Sequence, residues 1–387
     1  MAAPSTVTRP NTPSHSPNGA TAQPPMRSVI PFIRGSGWGR YVFFDKSGLQ
    51  LLANTQDLGP IPVKAYDFMR SLVVEVTTTT PGGGSAVTTT EDGPCNFFTQ
   101  VKVDQPNGQT MYQVSSGFNA EMIHAHGYYR NYNDPRQWEG FQYTTGSGTA
   151  PALAFRFRIP FELNLSDSLG DLPNKDANAP FNLYLTMNTL ANVYGGAPTT
   201  PTFRVRVWLE AADQPPESLG GSPVQTTPPA MNTLQRWTEQ PVAYSAGQFD
   251  IRVRKLGNYV RLLVPIFRRS ASTRANGELD ISDPVQIVLD EDVKDNISFN
   301  TWVHDILERY GYGQAGSTRD AFTGGLAGRW NGVRVVDYLS GPPGYDNMDR
   351  LLPTIESEDY ILRGSWGNAG TATVLVGEVL PQGDIFS

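Results

Sequence analysis

The chain has one cysteine, Cys95, in 387 residues, so no internal disulfide can form and synthesis in a reducing compartment is expected. Charge is scarce too. Asp, Glu, Lys and Arg make up 17 % of the residues, against a usual ~25 %, while hydrophobic residues make up 39 %. That balance disfavours disorder, a coiled coil or a highly charged helical bundle. Long apolar runs are missing: the most apolar stretch, Tyr259 to Phe267, is interrupted by Arg261 and is too short to cross a bilayer. No apolar stretch led by basic residues follows Met1, so no secretory leader is expected. Acidic residues are absent before Asp45, whereas Arg9, Arg27, Arg34 and Arg40 all fall in that stretch. With a net charge of -7, the +4 of the first 44 residues leaves -11 on the remainder. A basic arm on an acidic body is not the footprint of a protein that coats nucleic acid, and no direct sequence-specific nucleic-acid binding is expected.

The motifs of common enzyme chemistries are also missing. No Lys follows a Gly, and Gly35-Ser36-Gly37-Trp38-Gly39 lacks the spacing and the strand-then-helix setting of a dinucleotide fingerprint. There is no G-x-S-x-G elbow, and Cys95 follows Asp92-Gly93-Pro94 with no partner histidine in sight. His124-Ala125-His126 would put two imidazoles on one face of a strand, the start of a cupin-type metal site, but no carboxylate follows at ligand spacing. The bland reading places both histidines in a helix and the turn after it. Asp290 to Asn296 resembles a cation loop, yet Lys294 occupies a ligand place and the central Gly is missing, so a solvated acidic turn leading into a helix is expected. The aromatic-rich stretch of Tyr128, Tyr129, Tyr132, Trp138, Phe141 and Tyr143 suits packing against a neighbouring subunit or stacking on carbohydrate. Neither a cofactor nor a metal is expected, nor catalysis.

What is present is turn and strand. Gly (38) and Pro (31) together reach roughly 18 % of the chain against an ordinary ~12 %, which means frequent turns and short elements. Residues 1–26 are Pro, Ser, Thr and Asn with almost nothing to bury, a flexible basic arm, and 27–59 form an N-terminal extension. A Pro- and Gly-rich linker at 214–232 then separates two bodies of similar length, 60–213 and 233–387. In the first, 68–79, 97–104, 152–165, 181–190 and 203–209 alternate apolar and polar residues as half-buried strands do. In Phe203-Arg204-Val205-Arg206-Val207-Trp208-Leu209 the apolar residues Phe203, Val205, Val207 and Leu209 share one face and Arg204 and Arg206 take the other. The second body repeats the style at 249–254, 259–267, 285–289, 332–338 and 371–380, with turn signals at Pro106-Asn107-Gly108 and Asn276-Gly277. One amphipathic helix is predicted over 299–310 and a weaker one over 116–126, at similar offsets in the two halves. The parallel predicts one β-sandwich of about eight strands, with one short helix in a loop, used twice.

Several collinear segments carry a resemblance. They are Ser71 to Thr78, Glu91 to Val103, Asp104 to Gln109, Ser116-Gly117-Phe118, and Ile159-Pro160-Phe161 through Ser166 to Gly170 before Phe181 to Asn188. In order and spacing, over about 120 residues, the first half resembles the major capsid protein of tectiviruses, tailless icosahedral phages with an internal membrane. The resemblance implies two eight-stranded jelly rolls in tandem, and homotrimers of pseudo-hexagonal outline tiling a virion shell with neighbouring trimers and with penton or minor capsid proteins. It also implies synthesis in the host cytoplasm and an arm, carrying Arg9, Arg27, Arg34 and Arg40, that faces the lipids of the internal membrane. Relatives of this kind are expected to have a helical N-terminal segment, from which this Pro-rich arm departs. From other functional classes, a carbohydrate- or receptor-binding spike and a metal- or sugar-active enzyme on two sandwiches remain as alternatives.

Overall fold

A computed structural model describes residues 28–83, 90, 92–127, 141–146, 149–163, 168–196, 198–229, 231, 233–254, 257–270, 273–274, 281–298, 332–338, 351–355 and 357–380. Short pairings of two or three residues aside, the strands of the first half are β1 (Trp38–Gln50), β2 (Tyr66–Thr80), β3 (Phe98–Asp104), β4 (Thr110–Val114), β5 (Phe141–Gly146), β6 (Thr149–Pro160), β7 (Asn182–Met187) and β8 (Thr202–Ala212). Those of the second are β9 (Leu234–Tyr244), β10 (Gly247–Arg252), β11 (Tyr259–Ser270), β12 (Ile281–Leu289), β13 (Asp292–Ile297), β14 (Tyr360–Trp366) and β15 (Gly370–Leu380). Helices α1 (Phe32–Gly35) and α2 (Gly117–Gly127), with a single further turn at Leu190–Val193, complete the described frame.

Two outer sheets cover one long shared sheet. The first outer sheet runs β1-β8-β2-β6-β5, the second runs β10-β14-β12-β13, and the shared sheet runs β11-β15-β9-β4-β3-β7. The halves therefore form two sandwiches whose inner sheets join edge to edge, through a parallel bridge between Trp237 and Tyr112. Residues 27–59, read from sequence as an extension, supply edge strand β1, which pairs antiparallel with β8 from Trp38 opposite Ala212 to Gln50 opposite Thr202.

Period-two burial builds both cores. In the first, Leu72, Val74 and Val76 of β2, Phe155, Phe157 and Ile159 of β6, and Phe203, Val205 and Val207 of β8 point inward. In the second, Ile251, Val285, Ile287, Leu362 and Trp366 close over Leu263, Phe267, Val374 and Val376. The first core extends into the second half through Trp237, Leu262, Val264, Ile266 and Leu375. Helix α2 fills this joint. Ser116 caps it by accepting the Phe118 N–H at 3.0 Å, and every residue from Gly117 to Gly127 is buried. At its end Gly127 meets Trp237, where an added Cβ would lie 2.5 Å from the indole; Gly377 of β15 approaches the same ring from another strand, 2.7 Å from where its Cβ would be. Side chains at either position would evict the Trp237 ring.

Two further elements differ from the sequence reading. Asp290 to Asn296 is not a turn entering a helix: Asp292–Ile297 is an edge strand, paired with β12 from Val285 opposite Ile297 to Leu289 opposite Asp292. The tight turn is confined to Asp290 and Glu291, with Asp290 at φ 56. Val336–Asp337 is all that pairs as a strand in 332–338, along Leu262 and Leu263. The helix predicted over 299–310, the turn at Asn276-Gly277 and the residues from Tyr128 to Trp138 lie outside the described residues.

Candidate assembly surfaces

The strand directions give the molecule two ends. Leu234 stands opposite Leu380 and Tyr244 opposite Gly370, so the start of β9, just after the linker, and the C-terminal end of β15 share one end. The base of the arm joins them there: Ile30 donates to Pro223 O at 2.9 Å, Gln225 donates to Ile30 O at 2.9 Å, and Asp213 donates to Gly37 O at 2.8 Å. Phe32 of α1 packs edge-on against Phe68, 5.2 Å between ring centroids, which seats the arm on the first sandwich. Beside it Tyr66 donates to Asp213 at 2.7 Å and bonds Tyr41. The hydrogen bond to Tyr41, then that to Asp213, push the Tyr66 phenol up, so the clamp stays protonated through the physiological range. The opposite end carries Thr80 to Gly83 and the turns that link Tyr244 to Gly247 and Trp366 to Gly370.

Of the four arginines expected on the arm, Arg9 and Arg27 lie outside the described residues. Arg34 ends α1 and is exposed at the arm's exit. Arg40 is on β1, its Nε 2.9 Å from Glu210, so it charges the sheet face rather than the arm. Around that exit Val29, Trp38 and Leu219 are exposed large apolar side chains, Trp38 at 64 %.

The outward side of the first outer sheet is ordered in rows across β1, β8, β2 and β6. One row is Arg40, Glu210, Ser71 and Pro160; the next is Val42, Trp208, Val73 and Arg158; the third is Asp45, Arg206, Glu75 and Arg156. Glu210 is buried and accepts from Arg40 and Arg158, each at 2.9 Å, and from Ser71 at 2.8 Å. Asp45 accepts from Arg204 Nε at 2.6 Å, with Arg206 3.5 Å away, and the Arg204 hydrogen bond holds its carboxyl below the ordinary value. The sequence reading separated Arg204 and Arg206 from the core but missed their neighbours. The matching Phe-Arg-Phe-Arg of 155–158 and Phe-Arg-Val-Arg of 203–206 was the signal, because both strands flank β2 and direct their arginines to the same side.

The outward side of the second outer sheet is mostly polar. Asp250 and Arg363 form a bidentate pair at 2.9 and 3.0 Å, and Gln286 stands beside Arg363 in register. The acidic residues Asp290, Glu291, Asp292, Asp295, Glu358 and Asp359 gather at its lower end, the end away from the Trp366 to Gly370 turn and on the side of the arm and linker, where Arg252 meets Asp359 at 2.9 Å.

His124 and His126 sit on buried α2, with His124 Nδ1 3.7 Å from Glu121. Among the described residues no cluster of three or more His, Cys, Asp or Glu side chains could hold a metal ion. Cys95 is buried in a short turn at the entry to β3. Among the described residues no helix is long and apolar enough to cross a membrane.

Two sandwiches in one chain, joined through a common sheet with their strands along one axis, define the double jelly-roll fold of viral major capsid proteins. The crystal structure of the STIV MCP aligns with a TM-score of 0.56 at 14 % identity, covering 89 % of this chain and 97 % of that one. The atomic structure of Sulfolobus Turreted Icosahedral Virus gives 0.58 at 13 % identity, over 89 % of this chain and 91 % of that one. The major capsid protein P2 from bacteriophage PM2 gives 0.51 at 9 % identity, over 90 % and 99 %. No family model and no curated protein sequence matches the chain. The fold expected from the tectivirus resemblance, tandem all-β jelly rolls, is thus the fold found.

Proposed function

We propose that this protein is a major capsid protein that assembles by self-association, with no catalytic step, as homotrimers of pseudo-hexagonal outline in an icosahedral shell around an internal membrane. One observation carries the reading: two similar sandwiches stand side by side with strands along one axis, and both the arm and the linker lie at one end. Three such chains around an axis present six near-equivalent sides, the geometry a hexagonal lattice needs. The sparse overall charge suits a surface largely covered by copies of itself. Penton or minor capsid proteins would close the shell where six-sided units cannot, and synthesis in the host cytoplasm accords with the lone, buried cysteine.

The end carrying the arm faces the membrane in this reading. Arg9, Arg27 and Arg34 would each contribute about 1 kcal/mol near an anionic leaflet, and exposed Trp38 suits the headgroup level. Deleting residues 1–27 removes Arg9 and Arg27 and should weaken flotation with vesicles containing anionic lipid, Arg34 and Trp38 remaining, while leaving the oligomer intact. Undiminished flotation would remove the arm from the membrane contact. For the reading as a whole the test is native mass spectrometry of the full chain with electron microscopy of the assembled material. Trimers and hexagonally packed sheets or shells are expected, and a monomer at micromolar concentration would sink it.

A further inference from the structure

We propose that the outer face of the first sandwich in one copy docks on the outer face and acidic lower turn of the second sandwich in the next copy. This rests on the self-associating reading above and names the surfaces that meet. The first face is cationic: Arg40, Arg156, Arg158, Arg204 and Arg206 stand against the carboxylates Asp45, Glu75 and Glu210. The second is anionic at its lower end, where the six carboxylates from Asp290 to Asp359 outnumber Arg252, Arg254 and Lys294. Its Asp250–Arg363 pair is neutral in sum. Unlike charges across a contact steer encounter and exclude the like-with-like alternative, in which two basic faces would meet.

The basic face also has the anatomy of a contact rather than of a solvated surface. Val42 and the partly exposed Trp208 form an apolar step between charged rows, beside Val73, which the chain itself buries; apolar surface inside a charged rim is the arrangement of an interface core. Val42 is 54 % exposed. A partner covering this row would bury the valine. Because the two faces belong to different sandwiches, the contact is head to tail, and such contacts generate rings when the rotation closes. Three copies then use each face once.

The experiment is a charge swap within the full chain, read by sedimentation velocity at low and high salt. Arg204→Glu with Arg206→Glu reverses the first face, and Glu291→Lys with Asp292→Lys reverses the second. Each pair should weaken self-association at low salt by about tenfold or more, since close interfacial charge pairs couple by at least that factor. The chain carrying all four substitutions should recover to within about threefold of the parent, and the parent's association should weaken as salt rises. Glu291 and Asp292 are exposed, so if reversing Arg204 and Arg206 disturbs folding, the second pair decides alone. If the parent associates and each reversal leaves its association constant unchanged, the assigned faces are wrong while the capsid reading stands. A parent that remains monomeric at every salt concentration overturns both.

Discussion

Trp237→Ala should destabilise the chain by about 3–5 kcal/mol, the range for removing a buried tryptophan, and should split its thermal unfolding into two transitions. The ring is 1 % exposed and belongs to the first core, although its strand opens the second sandwich. It fills the space left by Gly127 at the end of α2 and by Gly377 in β15, and its backbone makes the bridge to Tyr112 that joins the shared sheet. An alanine leaves a cavity with helix on one side and sheet on the other, and neither wall can collapse without breaking backbone pairing. For sandwiches of this size the cost corresponds to a fall in Tm on the order of 5–15 °C. Differential scanning calorimetry reads both parts. Gly377→Ala approaches the same joint by overpacking and should cost about 1–3 kcal/mol. A loss below about 1 kcal/mol for Trp237→Ala, with one unchanged transition, would show that the joint contributes little to the stability of the pair.

The joint is the part of the fold that local sequence could not show. Period-two alternation made β2, β6, β8 and β15 legible because one face of each meets a core. Strand β1 was missed because its alternation is broken twice, by a bulge at Phe43 and by a register shift between Lys46 and Leu49. Strand β13 is an edge whose first five residues are all exposed, so it carries charges where a strand pattern needs apolar residues, and charge is what protects an edge from further pairing. Helix α2 looked weak for the opposite reason: it is buried on every side, so no polar stripe marks its period. Pro241 lowers the strand signal of β9, yet it lies beyond Trp237, where β4 bridges the strand. In the candidate surface, the arginines of β6 and β8 were visible as residues off the core. Their pairing with Asp45 and Glu210 was not, since Arg204 and Asp45 are 159 positions apart.

A second large effect is expected at the lower seam between the sandwiches, from Glu162→Ala. Glu162 is 2 % exposed and accepts from Arg70 Nε at 2.8 Å, while Asp171, the other carboxylate near that guanidinium, is 3.9 Å away. The segment is tied to the second half, because the Gln235 side chain donates to Pro160 O at 3.3 Å and Gln235 in turn accepts from Arg261. Removing one member of a buried ion pair costs about 3–5 kcal/mol, because the remaining charge stays desolvated; Arg70 retains some contact with water, which reduces the figure to about 2–4 kcal/mol. The same physics makes the paired replacement informative. In a parent carrying Asp171→Asn, so that no second buried carboxylate loses the guanidinium 3.9 Å from it, Arg70→Met with Glu162→Leu removes both charges and keeps most of the volume, so it should be far less damaging than Glu162→Ala alone, within about 1 kcal/mol of that parent in urea unfolding. The contrast separates two accounts of the seam. If the double variant is as unstable as the single one, the pair itself stabilises the packing of the two sandwiches; if stability returns, the pair sets which surfaces meet and adds little net energy.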